Sequence, residues 1–393
     1  MRRRASNRIS LAGALLLAAA CAHVEPPPGG PEDREPPALL TTRPEDGAVV
    51  PRYDGPVLFV FDERISERGL EETVMVSPRT SPVEVRHGRN EIRVSLRQGW
   101  QPGMIYHVLV RPEVRDLFGN VAGEGARLVF STGPVIPDTR VSGRVTDRIT
   151  GRAEQEVRVE AIRSADSLVY AVPTDSAGRY ELGNVPEGEY RIRAYRDLNR
   201  NRALDPFEPR DTADVTFRSG APLDVALRVL MPDTTPPIAG LATVFDGGIV
   251  VEFDDFLDPD QEISPEQVDI RGPAGEAISV ETVAVEDGAG STGAGPRSGI
   301  GGDVPAGAGS GDVAPNGANR LPSRTLRIEP LPDVPLRPEA PYILVMRGIR
   351  NVNGLSGDSE ATLETPPALP EPVVEPPSNS DPDPDQADRG PPA

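Results

Sequence analysis

The stretch V-L-F-V-F-D-E at 57–63 decides the fold, because the chain writes it twice: it returns as I-V-V-E-F-D-D at 249–255. Each copy is a short apolar run, rich in β-branched and aromatic residues, that ends in two acids. A run of that length bounded by turn residues fits a packed strand and is too short for a helix. The echo extends in both directions. Downstream, Y-H-V-L-V-R-P-E-V-R-D-L-F-G at 106–119 is answered by Y-I-L-V-M-R-G-I-R-N-V-N-G at 342–354, with one residue deleted. Upstream, Pro36–Pro37 is answered by D-T-T-P-P at 233–237. Self-similarity of this kind predicts two copies of one fold. The second copy is the more divergent and carries Asn351 where the first has Asp116.

Around the first copy, Val74–Val76, Val83–Arg86, Glu91–Leu96, Ile105–Val110 and Leu128–Ser131 read as further short strands. About seven strands with frequent turn signals predict a β-sandwich over 37–133. The second copy spans 232–366. Between them, 135–231 opens on V-S-G-R-V-T-D at 141–147. It continues through V-R-V-E-A-I-R at 157–163, L-V-Y-A-V at 168–172, T-D-S-A-G-R-Y-E-L at 174–182 and N-V-P-E-G-E-Y-R-I-R-A-Y at 184–195, and closes on L-D-V-A-L-R-V at 223–229. No heptads and no long amphipathic helix interrupt the pattern. The fold class is therefore all-β, with tandem antiparallel β-sandwiches. A Gly/Ala/Ser-rich insertion at 287–319 and a Pro/Asp-rich tail at 367–393 have too few large apolar residues to fold and are expected to be disordered.

Three motifs of the first sandwich, P-P-A-L-L-T-T-R-P-E-D-G-A at 36–48, F-D-E-R-I-S at 61–66 and R-D-L-F-G-N at 115–120, resemble the bacterial Ig-like domain of the SbsA type, named from surface-layer proteins. G-G-P-E-D-R-E-P-P at 29–37 resembles the start of lipoproteins that carry it. In the middle sandwich, the spacing of Gly143, Asp175, Gly178, Tyr180, Pro186, Gly188 and Tyr190 resembles the transthyretin-like domain known as carboxypeptidase regulatory-like or Cna-B-like. That resemblance implies a stalk or accessory module. The Lys–Asn isopeptide of some relatives is excluded, because all 41 basic residues here are Arg.

The N-terminus supplies an address. Arg2, Arg3, Arg4 and Arg8 precede an apolar run from Ile9 to Ala20. That run is shorter than the roughly 20 residues that span a bilayer and fits the h-region of an export signal. Ala18-Ala19-Ala20-Cys21 resembles the lipobox of bacterial lipoproteins, with Ala18 where Leu is usual and Leu17 one place early. The resemblance implies a signal peptide at 1–20, acylation of Cys21 and a membrane anchor. Ala22 in place of Asp points to the outer membrane. Residues 21–36 then read as a Pro-rich tether.

Composition closes off several classes. The formal charge of −20 becomes −24 without residues 1–20, which hold four Arg and no acid. So acidic a surface repels phosphate backbones and excludes nucleic-acid partners. The absence of Lys removes Schiff-base chemistry and a Walker loop. Cys21 is the only cysteine, so no disulfide and no Cys-ligated zinc can form, and His23, His87 and His107 are too scattered for a metal centre.

One loop offers metal chemistry. D-L-N-R-N-R-A-L-D-P-F-E at 197–208 places Asp197, Asn199, Asn201, Asp205 and Glu208 at positions 1, 3, 5, 9 and 12 of an EF-hand-like spacing, with the Ala203 carbonyl at 7. Against calcium stand Arg202 at the position normally held by Gly, the preceding strand, and the charge of Arg200 and Arg202. An Asx-rich turn is the other reading. G-A-G-S-T-G at 288–293 matches a dinucleotide fingerprint but leads into Ala-Gly-Pro, with no helix to receive a phosphate. Asp62–Glu63 and Asp254–Asp255 could be catalytic carboxylate pairs, yet their equivalence in the repeat fits a turn feature. Trp100, the only Trp, is expected to cap its sandwich. No other cofactor is implied. The expectation is a lipid-anchored, non-enzymatic envelope module that meets other surface proteins or glycans. An accessory or enzyme of envelope glycan processing is the alternative.

Overall fold

The computed structural model describes residues 33–288, 320–332 and 335–367. The expected signal segment, Cys21, most of the tether, the body of the 287–319 insertion and the tail from 368 onward lie outside these residues. The chain divides into two compact units, Met1–Pro134 and Val135–Ala393. Its described elements are almost all strands, in several sheets.

The first unit contains β1 (Leu39–Arg43), β2 (Val57–Phe61), β3 (Val74–Ser77), β4 (Val83–His87), β5 (Glu91–Leu96), β6 (Ile105–Val110) and β7 (Ala126–Ser131). They form a four-stranded sheet, β1-β2-β5-β4, and a three-stranded sheet, β3-β6-β7, with every pairing antiparallel. Alternation along β2 turns Val57, Phe59 and Phe61 inward. They meet Ile92 and Val94 of β5, Tyr106 and Val108 of β6 and Leu128 and Phe130 of β7 in one core. Each fully buried large apolar side chain contributes roughly 1.5–3 kcal/mol relative to exposure. Trp100 seals one end: it stands edge-on to Tyr106 at 4.9 Å and to Phe130 at 5.1 Å, and its Nε1–H donates to Gly55 O at 2.9 Å. Buried that way, it is core and offers no binding platform.

The second unit begins with β8 (Arg140–Asp147), β9 (Arg158–Arg163), β10 (Val169–Pro173), β11 (Arg179–Gly183), β12 (Gly188–Tyr195), β13 (Arg210–Phe217), β14 (Leu223–Asp224) and β15 (Leu227–Val229). One sheet runs β10-β9-β12-β13; the other places β8 between β11 and the parallel β14, with β15 also parallel to β8. Two motif glycines have steric reasons. A Cβ on Gly143 would lie 2.0 Å from Val225 O, and Gly178 combines φ +73° with a Cβ position 2.5 Å from Val145 O. Tyr180 and Tyr190, largely buried, donate their hydroxyls to Val225 O and Pro186 O, both at 2.8 Å. The motif thus encodes close backbone approach at the glycines and anchored hydroxyls at the tyrosines.

The remainder holds β16 (Ala239–Phe245), β17 (Gly248–Leu257), β18 (Val268–Arg271), β19 (Ala277–Ile278), β20 (Val280–Val285), β21 (Ser323–Pro330), β22 (Pro341–Arg350) and β23 (Ser356–Glu364). These follow one path, β19-β18-β22-β23-β16-β17-β21-β20. A single parallel pair, Ala242↔Leu363, joins its halves. Without that bridge, β16-β17-β21-β20 and β18-β22-β23 match the two sheets of the first unit strand for strand. The match reaches individual side chains. Tyr106 Oη accepts from Gln101 N and Tyr342 Oη from Arg337 N, both at 2.8 Å. Thr132 Oγ1 donates to Gln101 O at 2.7 Å, as Thr365 Oγ1 does to Arg337 O at 2.6 Å. The insertion leaves and re-enters at one point between β20 and β21. There Gly288 N donates to Leu321 O at 3.1 Å. Arg320 reaches Asp287 Oδ1 at 2.7 Å, Val285 O at 2.8 Å and Pro259 O at 2.6 Å.

Candidate functional site

Two places gather polar side chains in the pattern of a site. The first lies where β2 leaves the core. Glu63, two residues beyond it, approaches Asp116 in the turn after β6 because Ile65 and Asp116 form an antiparallel bridge. Asp33, preceding Pro36–Pro37, completes the group. One carboxylate oxygen from each of Asp33, Glu63 and Asp116 lies within 4.8 Å of the others, the only such trio of His, Cys, Asp or Glu among the described residues.

Asp116 is buried and fully used. Its Oδ1 accepts from Phe118 N at 2.9 Å and Asn120 N at 2.8 Å, and its Oδ2 from Asn120 Nδ2 at 2.7 Å. Burial works to raise its pKa, but the Asn120 side chain and the amides of Asn120, Gly119 and Phe118 outweigh burial and hold it below the usual carboxylate range. Glu63 shifts the other way. Burial raises it first, and the charges of Asp116, Asp33, Asp62 and Glu35 raise it further.

The second copy of the fold solves the same crowding differently. Asp233 stands for Asp33, Asp255 for Glu63 and Asn351 for Asp116. Asn351 keeps the turn bonds, its Oδ1 accepting from Asn353 N at 3.1 Å and Leu355 N at 2.9 Å. Its other end is now a donor. Nδ2 reaches Asp255 Oδ2 at 2.7 Å, Thr235 O at 3.0 Å and Asp233 Oδ2 at 3.3 Å. Where one copy places a third carboxylate, the other places an amide that bridges two. Three hard oxygens are donors of the kind a divalent cation takes, though half of the six or more that calcium prefers. As acid–base groups they are poorly placed, since the N–H donors that hold Asp116 give it a turn role that an Asn fills equally well.

Asp62 and Asp254, whose equivalence in the repeat favoured a turn feature over a catalytic pair, hold the preceding strand's entry. Asp62 Oδ1 accepts from Ala38 N at 2.8 Å and Asp254 Oδ1 from Ile238 N at 2.7 Å. Sequence reasoning missed Asp33 and Asp116 as the neighbours of Glu63, although Asp33-x-x-Pro-Pro and Asp233-x-x-Pro-Pro carried the signal.

The second place is the 197–208 loop after β12. Asp197 accepts from Asn201 N at 3.0 Å and Arg202 N at 2.7 Å. Asp205 Oδ2 accepts from Asn199 Nδ2 at 2.7 Å and Asn201 Nδ2 at 2.8 Å. Asn201 Oδ1 accepts from Ala203 N at 2.7 Å. Glu208, with no exposed surface, accepts from Leu198 N at 2.8 Å and Asp205 N at 3.0 Å. Arg200 and Arg202 take left-handed backbone with φ of 59° and 61°. The loop thus brings together the side chains that the spacing offers to calcium, and hydrogen bonds from within the loop occupy their oxygens. An ion binding there would exchange those N–H donors for itself.

The other sequence candidates disperse. His107 is buried within β6, and His87 Nε2 lies 3.0 Å from Ile65 O. Of the 288–293 match only Gly288 lies among the described residues. Among the described residues no helix is long and apolar enough to cross a membrane.

Comparison with known families matches this architecture. The model of the bacterial Ig-like domain matches residues 33–132. The model of the carboxypeptidase regulatory-like domain matches residues 140–229. Each covers well under half of the chain. No curated protein matches the sequence. Solved structures to which the chain shows similarity include the Bacillus anthracis TIE protein, at 10% identity and TM-score 0.17, over 86% of this chain and 59% of that one. They include domains 1–6 of the surface layer protein SbsC, at 10% identity and TM-score 0.19, over 85% and 55%. BcpA, the major pilin subunit of Bacillus cereus, aligns at 10% identity and TM-score 0.17, over 49% and 70%. The chain thus spans somewhat over half the length of the first two. At such scores these likenesses carry no argument about function.

Proposed function

We propose that this chain is a lipid-anchored lipoprotein of the cell envelope, acylated at Cys21, and that its sandwiches act as a structural or adhesive protein-interaction module without an enzymatic role. The observation that carries the proposal is Cys21 itself. It is the only cysteine in the chain and stands directly after the basic and apolar segments of an export signal. Acyl chains contribute about 0.8 kcal/mol per buried CH₂, and more than one chain is needed for stable anchoring. The two family matches support an accessory architecture of stalk-like sandwiches. Strand edges and sandwich faces offer surface proteins or glycans their contacts. Within this reading the layout is a signal peptide at 1–20, a tether at 21–36, SbsA-type Ig-like sandwiches at 37–133 and 232–366, and the regulatory-like sandwich at 135–231. The outer membrane is its place.

The test is fractionation with palmitate labelling of wild type and Cys21→Ala. Wild type is expected in the membrane fraction with label, and the variant in the soluble fraction without it. Unlabelled wild type, or a variant that stays with the membrane, refutes acylation. Protease treatment of intact and lysed cells then separates a surface role from a periplasmic one.

A further inference from the structure

Within the second unit, β8, β13 and β15 face the turn at 351–354 across a cleft of about 380 Å³. Its lining includes three arginines, Arg148, Arg210 and Arg228, against one acid, Asp211, with an apolar wall from Leu230 and Val352. In a chain of formal charge −20 this is a local reversal of sign. Little neutralises it. Asp211 Oδ2 is taken by the Arg228 backbone N–H at 2.7 Å. Arg210 Nη1 donates to two neutral acceptors, Asp205 O and Pro206 O, both at 3.2 Å. Arg148 pairs with Asp260 at 3.4 Å, an acid 67% exposed. The Arg228 guanidinium has no hydrogen bond or ion pair among the described residues. Guanidinium forks of this kind select carboxylates, and a partly desolvated cleft strengthens the pairing.

We propose that the cleft takes up an acidic, proline-rich peptide, and that the chain's own segment D-P-D-P-D at 381–385 is the occupant. The part of the chain beyond Pro367 holds six acids, Glu371, Glu375, Asp381, Asp383, Asp385 and Asp388, against one base, Arg389. Its alternation matches the cleft: aspartates for the guanidiniums, and prolines for the apolar wall. Proline brings no N–H that burial would leave without a partner. The reach suffices. β23 begins three residues after Asn353 at the cleft and runs nine residues away from it, about 30 Å at a strand's rise. The thirteen residue steps from 368 to 381 span up to about 40 Å when extended.

The experiment uses the full chain carrying Asp381→Asn, Asp383→Asn and Asp385→Asn, titrated against a labelled peptide of residues 375–393 by fluorescence anisotropy. The tail-neutralised protein is expected to bind the peptide, and to bind it at least tenfold more weakly after Arg228→Gln or Arg148→Gln. Salt should weaken binding, since the pairs are partly exposed. Wild type should bind the added peptide at least tenfold more weakly, because its own tail competes at roughly millimolar effective concentration. Absence of binding to the tail-neutralised protein overturns the proposal, as does binding that both arginine substitutions leave unchanged. Equal binding by wild type overturns the tail as occupant. Full displacement of the peptide by inorganic phosphate at equimolar concentration overturns peptide recognition and assigns the cleft to a free anion.

Discussion

Replacing Gly143 by Ala tests the packing of the middle sandwich at its tightest point. The new Cβ would lie 2.0 Å from Val225 O and 2.7 Å from its carbonyl carbon, where 3.4–4 Å is ordinary van der Waals contact. The carbonyl cannot swing aside freely. Val225 N donates to Ser142 O at 2.8 Å, Leu223 and Asp224 pair with β8 on one side, and Leu227 pairs with it on the other. Opening the gap by over 1 Å forfeits the Tyr180 hydroxyl bond to Val225 O, worth about 1 kcal/mol net. Overpacking adds about 1–3 kcal/mol, for a total of about 2–4 kcal/mol. For a domain of this size, each kcal/mol shifts the melting temperature by about 4–8 °C. Calorimetry on the full chain should therefore show one transition lowered by roughly 8–32 °C. Hydrogen exchange should quicken at 141–145 and 223–229. Gly240→Ala is the control, because its Cβ would find nothing closer than Glu252 O at 3.4 Å. A Gly143→Ala protein that melts like the control would refute the steric reading.

Asp116→Asn with Asn120→Leu transplants the second copy's arrangement, Asn351 with Leu355, into the first. Glu63 has a raised folded pKa, so its penalty is absent below the ordinary glutamate range and fully present once pH has climbed past the raised value. Removing one facing charge at about 5 Å should recover about 1 kcal/mol in a water-like dielectric and flatten the fall in urea midpoint between acid and neutral pH; an unchanged slope contradicts the crowding. Asp197→Ala should lower stability by about 1–2 kcal/mol in calcium-free buffer, through the loss of its bonds to Asn201 N and Arg202 N. A calcium-induced rise in wild-type melting temperature that the variant lacks would assign the loop to the ion. Glu160, buried on β9, accepts from Arg158 Nε at 2.6 Å, Arg193 Nη2 at 2.5 Å and Tyr195 Oη at 3.2 Å. Glu160→Gln should therefore cost about 2–4 kcal/mol in denaturant titration, less than a wholly buried pair because both arginines reach solvent.

Period-two alternation made the strands legible. Val57, Phe59 and Phe61 point inward because every second residue of a strand shares a face, and the run is bounded by turn residues on both sides. The spacing of Gly143, Gly178 and Tyr180 was legible as a pattern, but its cause was not. It lies in the Val225 carbonyl and in Val145 O, which only the fold brings near. Pairings that depend on long-range register were also hidden. The Ala242↔Leu363 bridge fuses two sheets into one path through one paired position, and nothing in either strand announces it. At the acid cluster, adjacency in the chain did not identify the partners of Glu63. Asp62 adjoins Glu63 in the chain yet serves Ala38, while Asp33 and Asp116 arrive from distant segments. The arginine cleft escaped for the same reason, since Arg148, Arg210 and Arg228 belong to different segments of the chain. In the 197–208 loop the grouping of oxygens was readable, but which N–H groups would claim them was a property of backbone conformation alone.

The clamp between Asp287 and Arg320 makes the β20–β21 connection a socket. The two ends of the insertion lie just beyond β20 and just before β21 and are held by three Arg320 contacts. Closure entropy grows only with the logarithm of loop length, about 0.6 kcal/mol per doubling. A lineage could lengthen, shorten or replace that segment, even with a folded passenger, without renegotiating the sandwich that carries it. The same socket gives an experimenter a position for an epitope, a fluorophore or a second binding domain.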